Sequence, residues 1–197
     1  VLQLIIFMIK KVKIKRLIDI LMSILILSIL LIPILPICIL VKLTSKGPVL
    51  YWSNRVGRNN EIFSMPKFRT MKIYTPEVAT HSLKEADKYI TRFGSLLRKY
   101  SLDEIPQLIS IISGKMSFVG PRPALHNQFD LIKLRSELGI HHLMPGITGY
   151  AQINGRDEIS IEDKVELDLY YKKNYSIYLD VKILIFTFKK VLFNEGI

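Results

Sequence analysis

Apolar and polar positions are distributed unevenly along this chain. From Ile20 to Val41 nearly every residue is apolar. This run of about 22 residues, at about 1.5 Å per residue in a helix, is long enough to span a bilayer. Beyond Lys46-Gly47-Pro48 the pattern changes to short segments. Val49 to Trp52 and Ile62 to Phe68 read as strands, and the alternate positions Lys67 and Arg69 are expected to project from one face. Tyr89 to Tyr100 and Ala124 to Leu138 read as helices, and a later helix carries Asp168. Residues 75 to 90 read as a surface loop and a helix start, Pro145 to Gly149 as a turn cluster, and Gln152 to Arg156 as an irregular polar loop. No internal repeat or second domain is visible. The expected fold class is α+β and mostly helical.

The long apolar run raises a question of topology. Lys10, Lys11, Lys13, Lys15 and Arg16 precede it, and Lys42 and Lys46 follow it. Both ends are therefore drawn to the cytoplasmic face by the positive-inside tendency. Pro33 and Pro36 fall near the middle, where each removes a backbone donor, so a helix-break-helix is expected. These features fit a re-entrant hairpin, while hydropathy alone fits a spanning helix. On the hairpin reading the chain divides into an N-terminal extension and basic run over 1–15, a membrane hairpin over 16–46, and a domain over 47–197. The apolar start is given no function, and the run exceeds a signal peptide's apolar core. At the other end, Ile177 to Phe193 mixes apolar and aromatic residues with Lys182, Lys189 and Lys190. It reads either as an interfacial helix or as a core-packing one.

Charge narrows the partners. The chain of 197 residues is 49% hydrophobic yet carries a formal charge of +11, with a mean hydropathy of +0.27. That combination suits a protein held at an anionic membrane surface. No finger, helix-turn-helix or aromatic RNA motif accompanies the charge, so nucleic acid is not an expected partner. Cys38, the one cysteine, has no intramolecular partner and reads as a small hydrophobe.

Chemistry concentrates in two motifs. Ser101-Leu102-Asp103-Glu104-Ile105-Pro106-Gln107 sets adjacent carboxylates near a helix start. Ser-x-x-Glu is also a capping-box pattern, in which Ser101 and Glu104 would satisfy each other's backbone N–H. Asp103 would then sit near the positive end of the helix dipole, which favours the ionised form that a nucleophile or metal ligand needs. Gly120-Pro121-Arg122-Pro123 holds Arg122 on a stiff, non-helical loop, where a planar guanidinium suits a phosphate oxygen pair. His141-His142 lack helical metal-ligand spacing and read as surface or pocket residues.

The stretches "KFRTM" at Lys67–Met71, "SLDEIPQL", "GKMSFVGPRPAL", "PGITGYAQINGR" and "ELDLYY" occur in one order. In that order they resemble the bacterial sugar transferases known as monotopic phosphoglycosyl transferases, over roughly residues 16 to 195. The resemblance implies transfer of a sugar 1-phosphate from a UDP-sugar to undecaprenyl phosphate, with release of UMP. That would be the first membrane step of capsule, O-antigen or exopolysaccharide synthesis, on the cytoplasmic face of the bacterial inner membrane. It also implies an aspartyl phospho-sugar intermediate on Asp103, with Glu104 as metal partner or proton carrier. Mg²⁺ would be held by Asp103, Glu104 being a possible second ligand. Lys67, Arg69, Arg122, Arg156 and Asp168 would contact phosphate or substrate, and the re-entrant hairpin would be the membrane mode. Ile32 departs from the family, where a serine often precedes the helix-breaking proline. The stretch from Phe68 to Gln128 looks most like capsule enzymes that use N-acetylated 6-deoxy sugars. The alternative from another class is a basic membrane-surface binding protein without chemistry; oligomeric state stays open.

Overall fold

The computed structural model describes residues 2–76, 78, 85–155 and 159–193, with the backbone alone over 2–11 and at 86. It is mostly helical, about 60%, with two small sheets. The first helix, α1, runs from Leu2 to Thr44, and its stretch from Val12 to Thr44 is apolar and long enough to cross a membrane. The expected break is not an interruption of the helix: Pro33 and Pro36 both lie inside it, and the residues around them are its most exposed part, with Ile32 80% exposed. The backbone stays helical because a missing proline N–H deletes one hydrogen bond each time without forbidding helical φ.

Both halves of α1 are seated on one globular body. Towards its N-terminal side, Met22, Ile26 and Leu27 pack on a core of Phe63, Met65, Leu108, Ile111, Met116 and Phe118. From between the two prolines onward, Ile34, Ile37 and Cys38 pack with the buried Val41 against Phe68 and Leu97. Polar contacts fix the first seat. Ser117 donates to Asp19 at 2.8 Å. The Lys15 ammonium reaches the Val119 carbonyl at 2.8 Å, the Tyr171 hydroxyl at 3.0 Å and the Asp180 carboxylate at 2.8 Å.

Strands β1 (Leu50–Val56) and β2 (Ile62–Phe68) form an antiparallel hairpin in which Tyr51 faces Lys67. Helix α2 (Arg92–Lys99) follows, capped by Thr91, whose hydroxyl accepts from Gly94 N–H at 3.0 Å. A 3₁₀ segment, Leu102–Gln107, leads directly into α3 (Leu108–Ile112). Then come β3 (Ser117–Val119), α4 (Phe129–Glu137), β4 (Gly146–Thr148), α5 (Tyr150–Ile153), α6 (Ile161–Lys173) and α7 (Ile177–Phe193). The parallel pair β3–β4 brings the Pro-Arg-Pro loop against the Pro145 turn. The approach there is so close that a Cβ on Gly120 would lie 2.2 Å from the Met144 carbonyl, which is why glycine is needed.

Further sequence expectations change: the Pro145–Gly149 turn cluster contains strand β4, the helix expected over Ala124 to Leu138 runs only from Phe129 to Glu137, and the strand expected over Val49 to Trp52 runs from Leu50 to Val56. The polar loop from Gln152 is in part helical, since α5 ends at Ile153. The two readings of the last helix prove compatible: α7 buries Asp180 and Ile183, while Tyr178, Phe186, Phe188 and Phe193 stay exposed.

Candidate active site

The 3₁₀ segment places the two carboxylates. It is six residues long, more than the three or four usual for this helix type. Ser101 enters it in the left-handed region, φ 53°, and its hydroxyl caps nothing. The capping box is therefore not formed. Instead the Glu104 N–H donates to the Ser101 carbonyl at 3.2 Å, and the Glu104 side chain turns inward. Leu102 and Ile105 anchor the segment by packing with Phe68 and Leu97. Asp103 and Glu104 are left 6% and 8% exposed.

The two neighbours then differ in every other respect. Glu104 Oε1 accepts from Lys67 Nζ at 2.8 Å and from Arg122 Nη2 at 2.9 Å. Burial raises its pKa, but Arg122 and Lys67 outweigh that and hold the carboxyl well below its usual range. Asp103 receives no hydrogen bond among the described residues. Burial pushes its carboxyl up, with Lys67 the chief opposing charge and Glu104 adding to the rise. The helix dipole expected to favour ionisation is thus overcome by desolvation. Lys67 is pulled down by burial, and Glu104 works against that.

Both carboxylates open on a cavity of about 730 Å³, within the range of small-molecule sites. Its lining is strongly basic: Arg55, Lys67, Arg69, Arg98, Arg122 and Lys164 contribute, with Asp103 and Glu104 as the acids among the described residues. Arg122 lies between its prolines as expected, and Lys67 and Arg69 line the cavity together. Asp168 is elsewhere. It is 1% exposed, and one of its oxygens accepts from Arg135 Nε at 3.0 Å and Nη2 at 2.6 Å. Burial pushes its carboxyl up and Arg135 opposes this. Arg135 Nη1 in turn donates to the Arg122 carbonyl at 2.8 Å, so Asp168 is linked to the Arg122 loop through Arg135. Arg156 lies outside the described residues.

Sequence reasoning missed Arg55, Arg135 and Gln152. The available signal for Arg135 was its place four residues after Leu131, on the helix face that is buried in α4. His142 Nδ1 is 3.0 Å from Asn59 Oδ1, and no group of three or more metal-binding side chains exists among the described residues. Mg²⁺ does not need one, because it retains waters and takes one or two carboxylates plus substrate phosphates. Asp103, free of donors, and the second oxygen of Glu104 fit an ion completed in that way.

The profile of the bacterial sugar transferase family matches residues 10–194. This chain belongs to that family. Among its relatives is the uncharacterized sugar transferase EpsL of Bacillus subtilis (strain 168), 41% identical over 93% of this chain and 89% of that protein. The UDP-glucose:undecaprenyl-phosphate glucose-1-phosphate transferase of Escherichia coli (strain K12) is 38% identical, covering 92% of this chain and 41% of its own. A UDP-N-acetylgalactosamine-undecaprenyl-phosphate N-acetylgalactosaminephosphotransferase of Aeromonas hydrophila is 35% identical over 93% of this chain and 44% of that protein. The sugar transferase described here thus spans most of the Bacillus protein but under half of the two whose names state a UDP-sugar. It is an enzyme of the phosphoglycosyl transferase kind.

Proposed function

We propose that this sugar transferase moves a sugar 1-phosphate from a UDP-sugar to undecaprenyl phosphate in two displacements through Asp103. The observation that carries the reading is the contrast between a buried, donor-free Asp103 and a Glu104 locked by Lys67 and Arg122 in one basic cavity. A buried carboxylate without a partner is costly, and its retention in a cleft is a mark of chemistry. A protein that merely bound membranes would have no use for it.

In the first displacement an Asp103 oxygen attacks the sugar-bearing β-phosphorus. The bond from that phosphorus to the bridging oxygen breaks, and UMP leaves with the electron pair. In the second, an oxygen of the lipid phosphate attacks the same phosphorus, and the Asp103 carboxylate departs unchanged. Lys67 and Arg122, oriented by their shared acceptor Glu104, offer fixed positive charge to the phosphoryl oxygens. Mg²⁺ held by Asp103, with Glu104 beside it, would supply further neutralisation of the diphosphate.

The membrane arrangement we infer is re-entrant, with the catalytic body on the cytoplasmic face. Its support is the seating of both halves of α1 on one body, the exposed Leu31–Pro33 stretch between them, and basic residues at both ends. The sugar is open: relatives are named for glucose and N-acetylgalactosamine, and an N-acetylated 6-deoxy sugar is the reading from motif resemblance.

The test uses purified protein, a panel of UDP-sugars and Mg²⁺ without lipid. Up to one UMP per active site should appear, and the peptide containing Asp103 should gain the mass of a sugar phosphate. Undecaprenyl phosphate should then discharge the adduct. UMP formed only when lipid is present, with no adduct after rapid quenching, would replace the covalent route by direct displacement.

A further inference from the structure

The reaction handles two phosphate groups of different origin, one arriving with the nucleotide sugar and one with the lipid. Among the basic groups that line the cavity, two sets differ in how they are held. The inner set is Lys67 and Arg122, tied to Glu104 beside Asp103. The outer one is Arg69, two residues on and just past the end of β2, with a backbone spacing from Lys67 of about 7 Å at about 3.4 Å per extended residue.

Arg69 is held by its root and open at its tip. Its backbone N–H donates to the Val49 carbonyl at 2.8 Å, and its side-chain Nε donates to the Pro48 carbonyl at 2.9 Å. The guanidinium carbon lies 5.7 Å from the centre of the Tyr51 ring. Among the described residues, neither Nη makes a hydrogen bond or ion pair, and no carboxylate neutralises the group. A guanidinium with its Nε anchored and its two outer nitrogens facing a cavity is prepared for a tetrahedral anion.

Its place relates it to the lipid. Pro48 comes four residues after Thr44, where α1 ends. Gly47, at φ +103°, turns the chain there, and its carbonyl accepts from Lys42 Nζ at 3.2 Å. The Ile73 side chain covers Gly47. Tyr51 and Ile73 line this end of the cavity, and Tyr74 next to them is 73% exposed. An apolar and tyrosine rim with one open arginine behind it suits a molecule whose tail is hydrocarbon and whose head is a phosphate monoester.

Resting on the two-substrate reading above, we propose that Arg69 binds the phosphate of the lipid acceptor, at the membrane end of the cavity, and does not serve the nucleotide sugar. The acceptor oxygen would then approach the phosphorus on Asp103 from the side of Pro48.

The test compares the parent with Arg69→Gln and Arg69→Lys, with UDP-sugar and undecaprenyl phosphate varied in turn in detergent micelles. Arg69→Gln should raise the KM for undecaprenyl phosphate at least tenfold while the KM for UDP-sugar changes less than about threefold, and Arg69→Lys should recover part of the difference. In the half-reactions, discharge of a preformed adduct should be slowed at least tenfold more than lipid-free UMP release. Thermal unfolding midpoints establish that each variant is folded; if Arg69→Gln is not, the same split is read from Arg69→Lys. Equal changes in both KM values, or a larger change for UDP-sugar, would overturn the assignment. A parent that forms no adduct would sink the covalent route, but the KM split would still decide on Arg69.

Discussion

Arg135 donates to the backbone carbonyl of Arg122 at 2.8 Å while its other nitrogens clasp Asp168. Arg122 is thereby held through its backbone by a pair whose carboxylate, Asp168, is buried away from the cavity. Removing one member of a buried ion pair costs about 3–5 kcal/mol, because the other is left uncompensated. We expect Asp168→Ala to lower stability on that scale and Asp168→Asn, which still accepts from Arg135, to lower it less. If the pair positions Arg122, kcat should fall in the same order, with the KM for UDP-sugar moving less than kcat. Thermal unfolding and steady-state kinetics on the same samples check this. Activity unaffected by both changes would reduce the pair to a structural staple.

The neighbouring carboxylates should separate cleanly on mutation. Asp103→Asn should abolish transfer and adduct, whereas Glu104→Gln should reduce turnover by roughly a hundredfold, on the order of 2.7 kcal/mol, yet leave a detectable adduct. Glutamine can accept from Lys67 or Arg122 but no longer neutralises them. Mass spectrometry of the quenched enzyme distinguishes the two; an adduct in Asp103→Asn would disprove its role as nucleophile.

Acidity offers a third check. The Asp103 carboxyl is pushed above the usual value of 3.8, with Lys67 the leading influence in the other direction. The nucleophile must be ionised, so lipid-free UMP release should lose rate as pH falls, with a midpoint above the ordinary carboxylate range. Lys67→Met removes the opposing charge and should shift that midpoint to still higher pH. A midpoint at or below the parent's in Lys67→Met would refute the assignment.

Stability should respond to pH in the opposite sense at Glu104. Its folded carboxyl is held well below 4.5, so it contributes stability above the unfolded value that is lost as pH falls through the folded one. Asp103, raised, contributes stability at low pH that is lost as pH rises from 3.8 through its folded value. Acid unfolding monitored by circular dichroism should therefore be shallower in Glu104→Gln, and Asp103→Asn should gain relative stability above its folded value.

Topology is testable directly. Single cysteines at Lys11 and Lys46, in a Cys38→Ala background, should both be labelled only from the cytoplasmic side by an impermeant maleimide. Labelling from opposite faces would establish a spanning helix.

Much of this was legible in sequence, for physical reasons. The Ile62–Phe68 strand, the last helix and the Pro-Arg-Pro loop are set by local composition, and the structure places them as expected, whereas the apolar run is helical without the expected break. Ser101 and Glu104 illustrate the limit. Their spacing satisfies a capping rule, but the rule assumes that the glutamate has nothing better to do. Here Lys67, distant in sequence, and Arg122, across the loop, claim its carboxylate, and Ser101 takes a left-handed backbone instead. Asp168 shows the same limit from the other side: its motif marks it as important, while its attachment to Arg135 is a tertiary fact.

The site of Lys15 has a consequence for how the protein is made. Its ammonium finds its counterion on Asp180, so α1 is completed only by α7, which is synthesised well after it. Until α7 emerges, Lys15 and the Val119 carbonyl lack their final surroundings, and one seat of α1 is unfinished. Such long-range closure is slow, because chain entropy is lost before the contact rewards it. A chain released before Ile177 would carry an apolar helix and a cation with no place to bury it, which is the kind of surface that membrane proteases and chaperones recognise.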